Sequence, residues 1–387
     1  MIYKNILVTV ENPTFNINNT NAAVATVIKS FCALLQNNEY EVFVNGVHYN
    51  ELVNKTNTNF IVNKQSKVVK LFPKRLREIV KDVILFKKLK QQHKFIAQGP
   101  KPDVILCWLS YGSSFSVDLA LKWEVPLYAI FDNPIAEEYK FLKGYNPFFY
   151  KKITRNEKRI LENSSKIIVY SHAVQSYLLQ KYKLKNTSFY FNAFTDFLKM
   201  STVKYERNYS IVNFAYIGSF FNWHKVGRLI EAFIKVRDTG NNCNLYLIGD
   251  GLDLKKAKTL AHSSPYSDSI FFTGYQSTSQ LTHLLSKINV AIIPNALWFQ
   301  APVKLFQYAA ASLPVITINT PTIQELSQGT QGLWYFNTEA ELQACMVNAI
   351  TNKADLPLLG NNNYNYIHDK FGEVQYINFF KKVFKPS

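Results

Sequence analysis

The strongest constraint on this chain is an alternation. Apolar runs of strand length, each followed by a helical pattern, recur from one end of the sequence to the other. In the first half they are Asn5–Val10, Tyr40–Val44, Asp103–Leu109, Leu127–Phe131 and Lys166–Tyr170. In the second half they are Val212–Ile217, Asn244–Ile248, Ser269–Thr273, Asn289–Ile293 and Pro314–Ile318. Strands that are apolar without a break are buried on both faces, which parallel sheets covered by helices require. The intervening helix patterns are clearest at 22–35 and 75–90. After Ile217, the residues Val226, Leu229, Ile230, Phe233 and Val236 share one face at three- and four-residue steps. The expected fold class is therefore α/β, with doubly wound parallel sheets.

A chain of 387 residues exceeds one ordinary core and favours two domains. The alternation pauses between Tyr190 and Ser210, so the expected domains are 1–195 and 196–365. A C-terminal helix over 366–387, carrying Tyr366, Phe371, Tyr376, Phe379, Phe380 and Phe384, is expected to pack back on a domain, the first being the expected partner. With 47% apolar and 18% charged residues the chain can bury real cores. Lys and Arg number 44 against 27 acids, a formal charge of +17. That balance excludes an acidic tail and leaves three readings: an anionic ligand, a negative membrane surface, or solubility alone. Cys32, Cys107, Cys243 and Cys345 lie far apart with no C-x-x-C pair, which reads as buried thiols rather than disulfides or a zinc site. The Met1–Val10 run is broken too early by polar residues to be a signal peptide and reads as a first buried strand. No apolar run reaches the roughly 20 residues that span a bilayer. The expected compartment is reducing and cytoplasmic.

In parallel sheets ligands sit at the carboxyl ends of strands, beside helix N-termini. Three loops of the second half look prepared for an anion there. The strand ending at Ile217 runs into Gly218 and Ser219, and Lys225 opens the next helix; the glycine lets a ligand reach the backbone, and the helix start offers unpaired N–H donors. A solvated lysine at a helix start explains the same pattern. The turn Gly249-Asp250-Gly251 follows the next strand and reads equally as a simple strand-to-helix turn. After the strand at 289–293, Pro302 stands at the favoured first position of a helix, with Lys304 and Gln307 one turn apart on the same side. This last arrangement is a credible diphosphate cradle, though an exposed helix also explains the lysine.

Set out in order, these loops resemble the GT-B glycosyltransferases of family 4, also called glycosyl transferases group 1. The resemblance covers essentially the whole second half: Tyr216-Ile-Gly-Ser with Lys225, Ile248-Gly-Asp-Gly251, Phe272-Thr-Gly-Tyr275, and Ala301-Pro-Val-Lys-Leu-Phe-Gln-Tyr308 running on to Ile316, then Glu325 and Gly332-Leu-Trp. In the first half it rests on Pro102-Asp-Val-Ile-Leu, Val125–Asp132, Ser165–Ser171 and a linker-like Phe191–Asp196. The family implies two Rossmann-like domains facing across a cleft, an acceptor domain and then a donor domain. It implies retaining transfer of a sugar from a nucleotide-sugar donor. Carried onto this sequence, the donor-binding residues are Gly218, Ser219, Lys225, Gly249, Gly274, Tyr275, Pro302, Lys304, Leu305 and Gln307. The catalytic set is Lys225 and Lys304 against the diphosphate, with Asp132 standing where the family has a histidine. Asp132 also reads as a capping carboxylate before Asn133-Pro134. Where the family has two glutamates eight positions apart, this chain has Phe299 and Gln307.

No D-x-D motif occurs in the sequence, so the expected chemistry is metal-free, with no cofactor beyond the nucleotide-sugar co-substrate. The excess charge concentrates in the first half. From Lys64 to Lys94 eleven Lys and Arg face only Glu78 and Asp82, along an apolar stripe of Leu76, Ile79, Val80, Val83 and Phe86. Tyr139–Arg159 interleaves Phe141, Tyr145, Phe148, Phe149 and Tyr150 with Lys143, Lys151, Lys152, Arg155 and Arg159. The first stretch reads as a helix lying on anionic lipid, or as a surface helix with its stripe in the core. The second suits a membrane edge, an acidic glycan, or nucleic acid. The economical reading is a glycan or lipid-linked acceptor in cell-surface polysaccharide synthesis, met at the cytoplasmic membrane face. No nucleic-acid-binding motif is present. The rival readings are a nucleotide-sugar binder without transfer and a basic nucleic-acid-binding protein.

Overall fold

The structure, a computed structural model, describes residues 3–12, 15–18, 23–54, 74–108, 113–143, 147–184, 188–191 and 205–384. The linker-like Asn192–Asp196, Tyr145 and the 64–73 part of the basic stretch lie outside these. The chain divides into two units, Met1–Asp196 with Tyr376–Ser387, and Phe197–Gln375.

The first unit is built on β1 (Asn5–Val10), β2 (Glu41–Val44), β3 (Val47–His48), β4 (Val104–Trp108), β5 (Leu127–Phe131), β6 (Lys166–Val169) and β7 (Ser188–Phe191). Their order in the sheet is β3-β2-β1-β4-β5-β6-β7. Every pairing is parallel except β2 with β3, a hairpin closed by Asn45 and Gly46, both at positive φ as such a tight turn demands. β4, β5 and β6 are buried at every position, which is what their unbroken apolar runs require. The pairings Val10↔Trp108 and Trp108↔Ile130 align the carboxyl ends of β1, β4 and β5, so that Glu11, Trp108 and Asp132 share one edge. Sequence pattern missed β3, which is two residues long, and β7, a half-exposed edge strand.

Instead of one helix over 366–387, the C-terminal stretch forms two helices, Leu356–Phe371 and Glu373–Val383, because the backbone is extended at Gly372. The first sets Phe371 edge-on to Phe306 (5.2 Å) in the second unit. The second belongs to the first unit, where Phe380 meets Phe31 at 5.1 Å and Phe384 meets Tyr40 at 5.5 Å. Buried Lys166 donates to the Val383 carbonyl (2.6 Å), a cation at a helix C-terminus, while its ammonium lies over the Tyr128 ring.

The second unit holds β8 (Val212–Ile217), β9 (Cys243–Ile248), β10 (Ile270–Gly274), β11 (Val290–Ile293), β12 (Val315–Ile318) and β13 (Leu333–Phe336), all parallel, in the order β10-β9-β8-β11-β12-β13. The order reverses between β8 and β11, the switch point at which open α/β sheets bind ligands. The helix Val226–Asp238 buries the face expected of it: Val226, Leu229, Ile230, Phe233 and Val236 join Phe214, Leu245, Leu247 and Met346 in one core. Each such side chain contributes roughly 1.5–3 kcal/mol on burial. Thr320 and Thr338 cap the helices Pro321–Ser327 and Glu339–Thr351 by accepting from backbone N–H groups.

Candidate functional site

Three glycine turns stand side by side at the carboxyl edge of the second sheet. The Gly218 N–H donates to the Ile248 carbonyl and the Gly249 N–H to the Gly274 carbonyl, each at 2.9 Å, so the ends of β8, β9 and β10 are joined into a shelf. The contact leaves no room for side chains. A Cβ on Gly249 would stand 2.0 Å from the Gly218 carbonyl oxygen, and Gly249 itself has φ +133. A Cβ on Gly218 (φ +150) would meet the Tyr216 hydroxyl at 2.9 Å and the Lys304 ammonium at 3.0 Å. The glycines that the sequence presents as separate motifs are thus one surface: Gly218 and Gly249 are demanded by the protein atoms packed against them, and Gly274 faces open space.

Lys304 arrives from the first turn of the helix Val303–Ala310. Pro302 is the cap of this helix (φ −66, ψ 119) rather than its first residue, because the chain is still extended there. Leu305 is buried beneath the helix start, Gln307 is half-buried one turn on, and Tyr308 is fully buried. The Tyr308 hydroxyl accepts from the Ile217 N–H (2.8 Å), pinning the helix to the end of β8. Lys304 is half-buried, with its Nζ 4.5 Å from the centre of the Tyr216 ring and 3.4 Å from the Tyr216 hydroxyl. Burial pulls its ammonium down to about 7. His224 stays neutral: burial, and then the charge of Lys304, lower it to about 3.

Lys225 differs. It is exposed, sits at φ +51 between a short 3-10 turn (Asn222–His224) and the helix at Val226, and its Nζ reaches Asn222 Oδ1 at 3.4 Å. It therefore precedes the helix rather than opening it. Ser219 lends its carbonyl to the Tyr216 hydroxyl (2.8 Å), and Tyr275 is exposed beside Gly274. The loop after β11 is held by Gln300, whose Oε1 accepts from the Leu297 N–H (2.8 Å), and tied to the loop after β8 by Asn295, which donates to the Trp223 carbonyl. Phe299 is fully buried and edge-on to Trp298 at 5.2 Å, so its position presents no polar group.

Asp132 stands at the carboxyl end of β5 in the first unit. It accepts from Trp108 Nε1 (3.1 Å) and the Asn133 N–H (2.9 Å), and burial lifts its carboxyl to about 6. The helix that follows, Ile135–Lys143, takes its N-terminal acceptor from elsewhere: buried Glu157 accepts from the Ala136 N–H at 3.1 Å. Glu11, at the end of β1, accepts from the Ser113 hydroxyl and from both the N–H and hydroxyl of Ser116. Tyr216, Tyr308, His224, Trp108 and Glu157 were not foreseen. A tyrosine two places before the strand-ending glycine was the available signal for Tyr216. Among the described residues no three His, Cys, Asp or Glu gather as a metal site.

The two basic stretches meet on the first unit. Lys90, on the helix Lys74–Ile96, and Lys152, on the helix Pro147–Glu162, each place Nζ 5.1 Å from the centre of the Phe86 ring. Leu89 and Ile96 turn into the core, whereas Val83 and Phe86 are exposed and do not. Phe148 is 74% exposed, with Lys151 and Arg155 exposed near it in sequence. Part of the second stretch is spent internally: Arg159 pairs with Asp118 (2.6 Å), and Tyr150 donates to Glu137 (3.0 Å). Among the described residues no helix is long and apolar enough to cross a membrane.

Residues 207–361 match the family described as Glycosyl transferases group 1. No curated protein matches the chain by sequence. Among solved structures, sucrose-phosphate synthase from Thermosynechococcus elongatus is similar with a TM-score of 0.72 at 14% identity, over 98% of this chain and 99% of that one. HepE of Anabaena in complex with UDP-glucose is similar with a TM-score of 0.65 at 13% identity, over 98% of each chain. The lipopolysaccharide outer core galactosyltransferase WaaB gives 0.60 at 13% identity, over 97% of this chain and 98% of that one. The likeness is one of fold: two parallel-sheet, Rossmann-like halves of the GT-B kind.

Proposed function

We propose that this chain, whose residues 207–361 match Glycosyl transferases group 1 and whose two halves have the GT-B fold, is a glycosyltransferase that moves a sugar from a nucleotide-sugar donor, held on its second unit, to a glycan or lipid-linked acceptor in cell-surface polysaccharide synthesis. The observation that carries the reading is the half-buried Lys304 above the Gly218–Gly249–Gly274 shelf. As the glycosidic bond breaks, the sugar becomes oxocarbenium-like and negative charge gathers on the departing diphosphate. Lys304 and the N-terminus of its helix meet that charge in a partly dry site, where fixed positive groups are worth most. Lys225, in water, adds a screened second charge. Gln307 offers an amide to the ribose hydroxyls and Tyr275 a ring face to the base. This chemistry needs no metal. Retention is the outcome implied by the family 4 resemblance. In the first unit, Asp132 is the carboxylate available to hold an acceptor or sugar hydroxyl.

The solved HepE complex holds UDP-glucose, and WaaB is a lipopolysaccharide outer core galactosyltransferase. These support a uridine-linked donor as the first to try and a lipid-linked glycan as acceptor. Joined at Phe86, the basic and aromatic surface of the first unit supports docking on an anionic leaflet at the cytoplasmic face. A thermal-shift screen with UDP-, GDP-, CMP- and dTDP-sugars tests the donor half, since a ligand that binds the native state stabilises it. One donor class should raise the midpoint, and Lys304→Ala should erase the rise; no response to any donor overturns the assignment. Flotation on phosphatidylglycerol vesicles, lost at high salt and absent with phosphatidylcholine, is expected of the surface. Retention of DNA or RNA without flotation contradicts it.

A further inference from the structure

We propose that Tyr216 is a positioning residue for the donor site: its buried ring is the seat that holds the Lys304 ammonium over the Gly218 turn, where the diphosphate is to lie. This rests on the donor-site reading above and adds a residue to it. The argument begins with the length and freedom of the lysine. An unrestrained Lys side chain has four rotatable bonds and loses on the order of 2 kcal/mol of rotamer entropy when fixed, so an ammonium aimed at a ligand needs something to fix it beforehand. Carboxylates usually do this, but a carboxylate would cancel the charge the ligand is to meet.

Here the restraint is aromatic. The Lys304 Nζ lies 4.5 Å from the Tyr216 ring centre, within cation–π range, and reaches the hydroxyl at 3.4 Å. The ring face attracts the cation without neutralising it. The ring itself cannot move. Tyr216 is fully buried in β8, its hydroxyl donates to the Ser219 carbonyl at 2.8 Å, and Phe220 stands edge-on at 5.9 Å. From the other side, Tyr308 fixes the helix that carries Lys304 by accepting from Ile217, the strand neighbour of Tyr216. Both the lysine's origin and its seat are therefore tied to the last two residues of β8. The point where they meet is 3.0 Å from where a Cβ on Gly218 would be.

The test uses the full chain with inorganic pyrophosphate as the probe, which does not depend on the identity of base or sugar. Calorimetric affinities are measured for wild type, Lys304→Ala, Tyr216→Leu, Tyr216→Phe and the Tyr216→Leu/Lys304→Ala double variant. Lys304→Ala is expected to weaken binding at least tenfold. Tyr216→Leu should do the same, and the double variant should lose no more than either single one, because the ring acts only through the lysine. Tyr216→Phe, which keeps the ring, should restore affinity to within about threefold of wild type. It also guards against misfolding: although it gives up the bond to the Ser219 carbonyl, its thermal midpoint should stay closer to wild type than that of Tyr216→Leu. Losses that multiply in the double variant, or a Tyr216→Leu protein that is folded and binds normally, overturn the proposal for Tyr216. Pyrophosphate binding that is absent in wild type, or indifferent to Lys304→Ala, overturns the donor-site reading instead.

Discussion

At the carboxyl edge of the second sheet the backbone turns through Gly218, Gly249 and Gly274, and a half-buried lysine stands over it; at the same edge of the first sheet the charges are carboxylates, buried Glu11 and half-buried Asp132. Both sheets are built on parallel strands whose order reverses beside the first of them, so the strands alone do not decide what either edge binds. The difference lies in the residues just after the strands. Glycine there lets the turns bond backbone to backbone, as Gly218 does with Ile248 and Gly249 with Gly274, and clears a shelf without side chains. Serine and acid there close the edge with hydrogen bonds, as Ser113 and Ser116 do around Glu11. Of the two acids, Glu11 is spent on that closure, whereas Asp132 accepts from Trp108 Nε1 and the Asn133 N–H and stands half-buried at the strand end.

The sharpest way to break this contrast is to fill the shelf. Gly249→Ala puts a methyl group 2.0 Å from the Gly218 carbonyl, a clash expected to cost 3 kcal/mol or more, of the order seen for severe backbone strain and overpacking. Thermal denaturation should show the loss of stability, and donor binding should vanish. A normal midpoint with normal binding would mean that the turns are not packed as described.

The next effect belongs to the first edge. Asp132→Asn keeps the shape but removes the charge and should lower kcat/KM by about 10²-fold. With a carboxyl lifted to about 6, Asp132 is ionised only above that pH, so wild-type kcat/KM should rise as pH climbs through 6. Lys304, lowered to about 7, is charged only below that pH, so kcat/KM should fall as pH passes 7. A narrow bell results, and Asp132→Asn should lose its acidic limb alone. Initial rates across pH 5–9 decide the point. The smallest effect is that of Lys225→Ala, an exposed cation expected to change the donor KM by about tenfold or less. A loss equal to that of Lys304→Ala would show that exposure does not rank the two lysines.

Much of this was legible beforehand, for identifiable reasons. Ten of the strand positions could be read directly as apolar runs, most plainly β4, β5, β6 and β11, which are buried at every position. β13 and β7, each four residues long and half-buried, were not among them. Gly218, Gly249 and Gly274 were visible as motifs, but not that they bond to one another, because that depends on the sheet order. Lys304 could be nominated from its helix start. Its ranking above Lys225 could not, since burial is decided by Tyr216 and Tyr308 across the strand–helix junction. Gly372 hid in a helical pattern, and its extended backbone splits the helix expected there.

The most direct test of the donor site is the pH dependence of nucleoside diphosphate affinity, measured by calorimetry on wild type and Lys304→Ala with the nucleotide that the donor screen selects. Wild-type affinity should fall relative to the variant as pH rises through about 7, as the lysine gives up its proton, and the variant should report only the ligand's own titration. Parallel curves, or a variant that binds as tightly as wild type, would contradict the account.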